Sequence, residues 1–246
     1  MLHDNNGSSH LKTSENIIQF RPLPDKNNQK NSGPSHPPMI NLPLFTKFML
    51  GAIIGIHVIV SAISYLSPDL FDQIYFHGAF TPASWSGTFP FMWWTPLTVV
   101  SFSFLHGGWL HLAVNSVMLM AFGSGVEKWL GAKRMLVIFS VSSVIALLFQ
   151  FASAPHSMAG VVGISGGISG FFGALLLMMQ QQRALGNTRN SIMPFVIAWV
   201  AVSILFGYMG APDGSPIAWL AHIGGFVGGL AVTWQMIGRP QIFPKK

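Results

Sequence analysis

Gly163-Ile164-Ser165-Gly166-Gly167-Ile168-Ser169-Gly170-Phe171-Phe172-Gly173-Ala174 opens an apolar run that continues through Leu175, Leu176, Leu177, Met178 and Met179. Each glycine in a soluble helix costs roughly 1 kcal/mol against alanine, so this many would unravel it. Within a bilayer the same glycines let neighbouring backbones come close, and helix association depends on that packing. Wound as a helix, Gly166, Ser169, Gly170 and Gly173 fall at i, i+3, i+4 and i+7 and share one face. Ser165 stands at its edge, within reach of a close neighbour, as either a small packing residue or a nucleophile.

Composition sets the class. Half of the 246 residues are hydrophobic and 8% are charged, against about 25% charged in a typical soluble domain. That is an all-α, polytopic membrane protein. With no cysteine in the chain, disulfides, thiolate catalysis and thiolate metal sites are excluded. Residues 1–43 are polar, rich in Asn, Ser and Pro, and lack an apolar h-region, so they read as a disordered tail rather than a signal peptide. Residues 44–238 form the membrane domain, and 239–246 a short basic tail. Scattered basic residues in the first tail suit either plain solvation or contact with anionic lipid.

Six apolar segments follow the tail, at about 46–66, 104–124, 135–152, 163–181, 192–209 and 217–237. Most hold about 17–21 residues, enough to cross a hydrocarbon core of roughly 30 Å. With the N-terminus inside and six crossings, all 13 Lys and Arg fall on the inner side, while Asp69, Asp72 and Asp213 fall outside. The positive-inside rule expects this asymmetry when both termini are cytoplasmic. The net charge of +6 therefore reports topology, and no nucleic-acid partner is expected. The connection from 67 to about 103 is long and aromatic, which suggests an outer, partly embedded hairpin or an ordinary aromatic belt. Ala211-Pro212-Asp213-Gly214-Ser215-Pro216 reads as a turn.

Ionisable groups inside a bilayer are costly, so each is a functional candidate. His57 lies mid-way along the first segment and reads as a neutral, hydrogen-bonded packing residue. His106, in Leu105-His106-Gly107-Gly108, reads as an anchor for the entry to the second segment. His111 and Asn115 are four apart on one helix face. Both donate hydrogen bonds, so the pair suits either an oxyanion or polar adhesion between helices. His222 lies in Ala221-His222-Ile223-Gly224-Gly225-Phe226-Val227-Gly228-Gly229, with Gly225 and Gly229 on roughly its own face. Two glycine-lined helices thus carry a hydroxyl and an imidazole at similar depth, and a serine becomes a strong nucleophile only when an adjacent base takes its proton. Metal binding by His111 and His222 is the rival chemistry; it lacks a convincing third ligand.

These residues resemble the rhomboid intramembrane serine proteases over most of 45–237. Gly163-x-Ser165-Gly166-x-x-x-Gly170-x-x-Gly173-Ala174 resembles the family's nucleophile segment, and Ala221-His222-Ile223-Gly224-Gly225 its base segment. Leu105-His106-Gly107-Gly108-Trp109-Leu110-His111-x-x-x-Asn115 resembles its second-helix signature, and Glu127 with Leu130-Gly131 the inner turn that follows. The resemblance implies a six-helix rhomboid-like bundle in the cell (inner) membrane, with Ser165 as nucleophile and His222 as general base and acid. It also implies an oxyanion site at His111 and Asn115, transmembrane proteins as substrates, and no metal or cofactor. Two positions depart from the pattern. Leu97-Thr98 stands where many relatives have Trp-Arg, and Ser169 stands where some have an aromatic ring that stacks on the histidine. The alternatives are a non-proteolytic rhomboid-like protein that binds membrane helices, and a small transporter, which would need broken helices or inverted repeats that the two halves do not display.

Overall fold

The computed structural model describes residues 41–185, 192–209 and 218–237. From Leu42 onward these belong to one compact unit. The expected tails at 1–43 and 239–246 and the turn at 211–216 lie almost wholly outside the described residues.

The described chain is helical. Helix α1 spans Leu44–Leu66, and its N-terminal N–H groups are satisfied from a distance. Phe45 N and Thr46 N donate to the Glu127 carboxylate at 2.9 and 2.7 Å, and Thr46 Oγ1 donates to it at 2.7 Å. A carboxylate there meets unsatisfied donors and the positive end of the helix dipole together. The aromatic connection folds into short helices: α2 (Pro68–Gly78), α3 (Pro82–Trp85), a 3₁₀ turn at Thr95–Leu97, α4 (Thr98–Ser101) and a second 3₁₀ turn at Phe102–Phe104. Pro68, Pro82 and Pro96 each sit in a first turn, where a missing N–H costs nothing.

The second apolar segment begins its helix later than its hydropathy suggests. Helix α5 starts at Trp109, because Gly108 carries the chain in extended, and it runs to Met118. A π turn at Leu119–Gly123 joins it to α6 (Ser124–Leu130). Gly131, at φ +80°, then turns the chain into α7 (Ala132–Ser153). Next come α8 (Ser165–Leu185), α9 (Met193–Met209) and α10 (Trp219–Ile237). Among the described residues, four stretches are long and apolar enough to cross a membrane: α1, Trp109–Leu130, α7 and α10. The chain is therefore a multi-pass membrane protein by its helices. α8 and α9 occupy the other two expected segments. α9 has 17 residues, and α8 is diluted by glycine, serine and Gln180-Gln181-Gln182. Dilution suits the place of α8, since no residue from Ser165 to Gln181 is exposed and protein, not lipid, covers it.

α7, α8 and α10 form the tightest part of the bundle. Helix α10 presents glycines on two adjoining faces. A Cβ on Gly225 would lie 2.1 Å from the Gly166 carbonyl oxygen, and one on Gly229 2.2 Å from that of Gly170. On the other face, a Cβ on Gly224 would meet Phe149 at 2.7 Å and the Ile145 carbonyl at 2.9 Å. The small-residue face expected on α8 is this contact: Gly166, Gly170 and Gly173 all meet α10 main-chain atoms. The apolar core continues through Ile53, Leu119, Met135, Ile138, Ile168 and Phe171.

Candidate active site

Ser165 is the first residue of α8, His111 the third of α5 and His222 the fourth of α10. Three helix beginnings therefore meet at one level of the bundle. His222 Nε2 lies 2.9 Å from Ser165 Oγ. Both side chains are part-buried, and neither points away from the bundle.

The distance follows from the backbone below it. With Gly225 against the Gly166 carbonyl, α8 and α10 are as close as two main chains allow, and their first turns face each other. Ser169 does not take the role of an orienting ring; its hydroxyl donates to the Ser165 carbonyl at 2.8 Å, within its own helix. The position of His222 is thus set by the glycine contact three residues along its helix rather than by an aromatic neighbour.

His111 and Asn115 close the other side through Gly163. That residue has φ +111°, a region L side chains avoid. A Cβ there would stand 2.8 Å from His111 Nε2 and 3.6 Å from Asn115 Nδ2. Gly163 also donates its N–H to the Phe102 carbonyl at 2.8 Å, which holds the approach to α8 against the preceding layer. Gly107 N donates to His111 Nδ1 at 3.3 Å. With Nδ1 accepting, a neutral His111 ring carries its proton on Nε2, the atom that faces Gly163. The Asn115 amide nitrogen is buried and has no acceptor among the described residues. Two side-chain nitrogens therefore converge on Gly163, two residues before Ser165. Neither the positive φ of Gly163 nor the His111 tautomer is legible from spacing.

His57 and His106 are buried, as expected of packing and anchoring residues. The expected hydrogen bond of His57 is not found: neither ring nitrogen has a partner among the described residues. Its neighbours are rings, Trp109 at 4.8 Å and His106 at 6.1 Å. The His106 carbonyl accepts from the Tyr75 hydroxyl, which ties α2 to the entry of α5. Burial raises the Tyr75 phenol above its ordinary value, with that hydrogen bond opposing.

The Leu97-Thr98 departure is answered by threonines. Met92 N donates to Thr95 Oγ1 at 3.0 Å, and Thr98 Oγ1, buried, donates to the Thr95 carbonyl at 2.6 Å. Ser101 Oγ reaches the Gly78 carbonyl at 2.8 Å, and Phe80 pairs with Val161 in an isolated antiparallel bridge. Leu97 is exposed. This outer layer holds a crevice between Phe76, Trp94, Thr98 and Met158, and none of the four site residues lines it. Among the described residues no three metal-ligating side chains converge.

A family model described as Rhomboid domain matches residues 90–239. The putative rhomboid protease YdcA of Bacillus subtilis is 28% identical over 149 residues, covering 61% of this chain and 70% of that protein. Rhomboid protease GluP of the same organism is 32% identical over 153 residues, covering 61% of this chain and 27% of GluP. Inactive RHOMBOID-like protein 8 of Arabidopsis thaliana is 27% identical over 146 residues, covering 58% of this chain and 39% of that protein. The chain thus spans well under half of the last two. Every one of these matches falls on a rhomboid protein, and with the family model covering most of the helices from α4 to α10, the chain belongs to the rhomboid family.

Proposed function

We propose that this protein is an intramembrane serine endopeptidase that cuts transmembrane segments of other proteins near their outer end. The reading is carried by the 2.9 Å approach of His222 Nε2 to Ser165 Oγ. In the attack, Oγ bonds to the substrate carbonyl carbon while its proton passes to His222 Nε2. The carbonyl oxygen takes the negative charge and lies against the N–H groups of His111 Nε2, Asn115 Nδ2 and the Ser165 main chain, at the positive end of α8. His222 then gives its proton to the leaving nitrogen as the C–N bond breaks. A water molecule attacks the acyl carbon, losing a proton to His222, and Ser165 recovers that proton as the acid leaves. A helical substrate hides its carbonyls in its own hydrogen bonds, so substrates carry glycine or other helix-weakening residues near the cut.

In this reading the helices α1, α5–α6, α7, α8, α9 and α10 make six crossings of the cell membrane. Both termini lie in the cytoplasm, with residues 1–43 and 239–246 as tails and 44–238 as the protease domain. The arrangement of basic residues supports this orientation.

Ser165→Ala is expected to abolish cleavage of a reporter transmembrane substrate in detergent, and a fluorophosphonate probe is expected to label Ser165 unless His222 is changed to Ala. Full cleavage by the Ser165→Ala variant refutes the assignment. A second reading, a non-proteolytic protein that binds membrane helices, draws on the relative named as inactive. It is favoured if the probe leaves Ser165 unlabelled while transmembrane peptides still bind.

A further inference from the structure

Between the buried His106 and His111 the chain passes through two glycines that no side chain packs against. Gly108 would place a Cβ in open space, and Gly107 would meet only the His111 ring, at 3.7 Å. Yet the His111 ring must hold one plane if Nε2–H is to face an oxyanion. Beside the hydrogen bond from Gly107 N to Nδ1, a row of rings that begins in α1 reaches it. His57, about midway along α1 and 5% exposed, lies edge-on to Trp109 at 4.8 Å and 84°. It also lies edge-on to His106 at 6.1 Å and 83°. His106, fully buried, lies edge-on to His111 at 5.2 Å and 67°. These separations fall in the range where edge-to-face pairs are favourable, and such contacts fix ring planes as well as distances.

We infer that His57 is a positioning residue: through His106 it sets the plane of the His111 ring from the first helix. The inference rests on the proposed oxyanion role of His111 for its effect on rate, but the ring coupling itself does not. Trp109 and His106 flank the two glycines, so His57 touches the chain on both sides of the weak stretch. The brace acts through shape. Both His57 nitrogens lack partners among the described residues, so another flat ring supports the row equally well.

The test uses the full chain in detergent with His57→Ala, His57→Leu and His57→Phe. Cleavage of a fluorogenic transmembrane peptide gives kcat and KM. In a Ser165→Ala background, ¹⁵N-histidine NMR reads the His111 ring, identified by its loss in His111→Gln. Losing one edge contact is expected to lower kcat by roughly three- to tenfold in the Ala and Leu variants, with KM held. Their His111 signals shift, and His57→Phe restores both readouts. The Leu variant fills the space left in the Ala variant, so poor folding of the latter still leaves a result. Full kcat with unmoved His111 signals overturns the inference. So does a kcat loss with unmoved signals, which assigns His57 to packing alone. If the unmodified chain cleaves nothing, the protease reading fails, and the NMR arm still decides whether His57 governs the His111 ring.

Discussion

Adding one methyl group at Gly225 tests how the short distance between Ser165 and His222 is made. In Gly225→Ala the new Cβ lies 2.1 Å from the Gly166 carbonyl oxygen, with the Gly166 carbonyl carbon at 2.8 Å. Carbon and oxygen that do not bond need about 3.3 Å, so α8 and α10 must part by about 1 Å. The oxygen belongs to the main chain and cannot turn aside as a side chain would. That displacement carries the His222–Ser165 pair from 2.9 Å to beyond hydrogen-bond reach. A misplacement of about 1 Å costs on the order of 10²-fold in rate. Overpacking costs roughly 1–3 kcal/mol, part of it offset by about 1 kcal/mol of better helix propensity. The protein is therefore expected to stay folded and lose cleavage. The assay is kcat on a reporter transmembrane substrate beside a thermal melt, with Gly51→Ala and Gly55→Ala as controls. A Cβ on either of those two α1 glycines would have no atom within 4 Å, and their variants are expected to keep full activity. Gly225→Ala with unchanged kcat would refute the claim that glycine contact sets the site.

Two further outcomes are expected. Glu127→Ala removes three hydrogen bonds from the start of α1. At about 2 kcal/mol net for this partly buried clasp, the melting temperature falls by roughly 4–8 °C with the Ser165–His222 contact untouched; an unshifted melt refutes it. Gly163→Ala drives a Cβ into His111 Nε2 and forces a side chain into φ +111°, so kcat is expected to fall by on the order of 10²-fold. An unchanged kcat on the reporter substrate refutes this.

Glycine spacing is the most legible part of the sequence. A residue without a side chain leaves few readings in a membrane helix, and both glycine faces lead to a serine and a histidine that the fold brings within 2.9 Å. Hydropathy locates the apolar segments but misjudges the second. It weighs side chains and cannot see that Gly108 runs extended, so it places a helix from 104 where one begins at Trp109. The aromatics of the outer connection follow no period and suggest a hairpin; its short helices are started by prolines and tied by threonine and serine hydroxyls to backbone carbonyls. The hydrogen bond expected of His57 is absent among the described residues, since a ring in a membrane helix can be held by other rings. Gly163 opens the quoted serine motif, but the reason for a glycine there is not legible, because it lies in a contact with His111, 52 positions earlier in the chain.

The seat of α10 on α8 has a bearing on how this protein can vary. Where two side chains meet, a larger residue on one helix can be accommodated by a smaller one opposite, and lineages drift through such exchanges. Opposite Gly225 and Gly229 stand carbonyl oxygens that every amino acid possesses. No second substitution at Gly166 or Gly170 removes them, so a suppressor screen against Gly225→Ala has nothing to find at the point of collision.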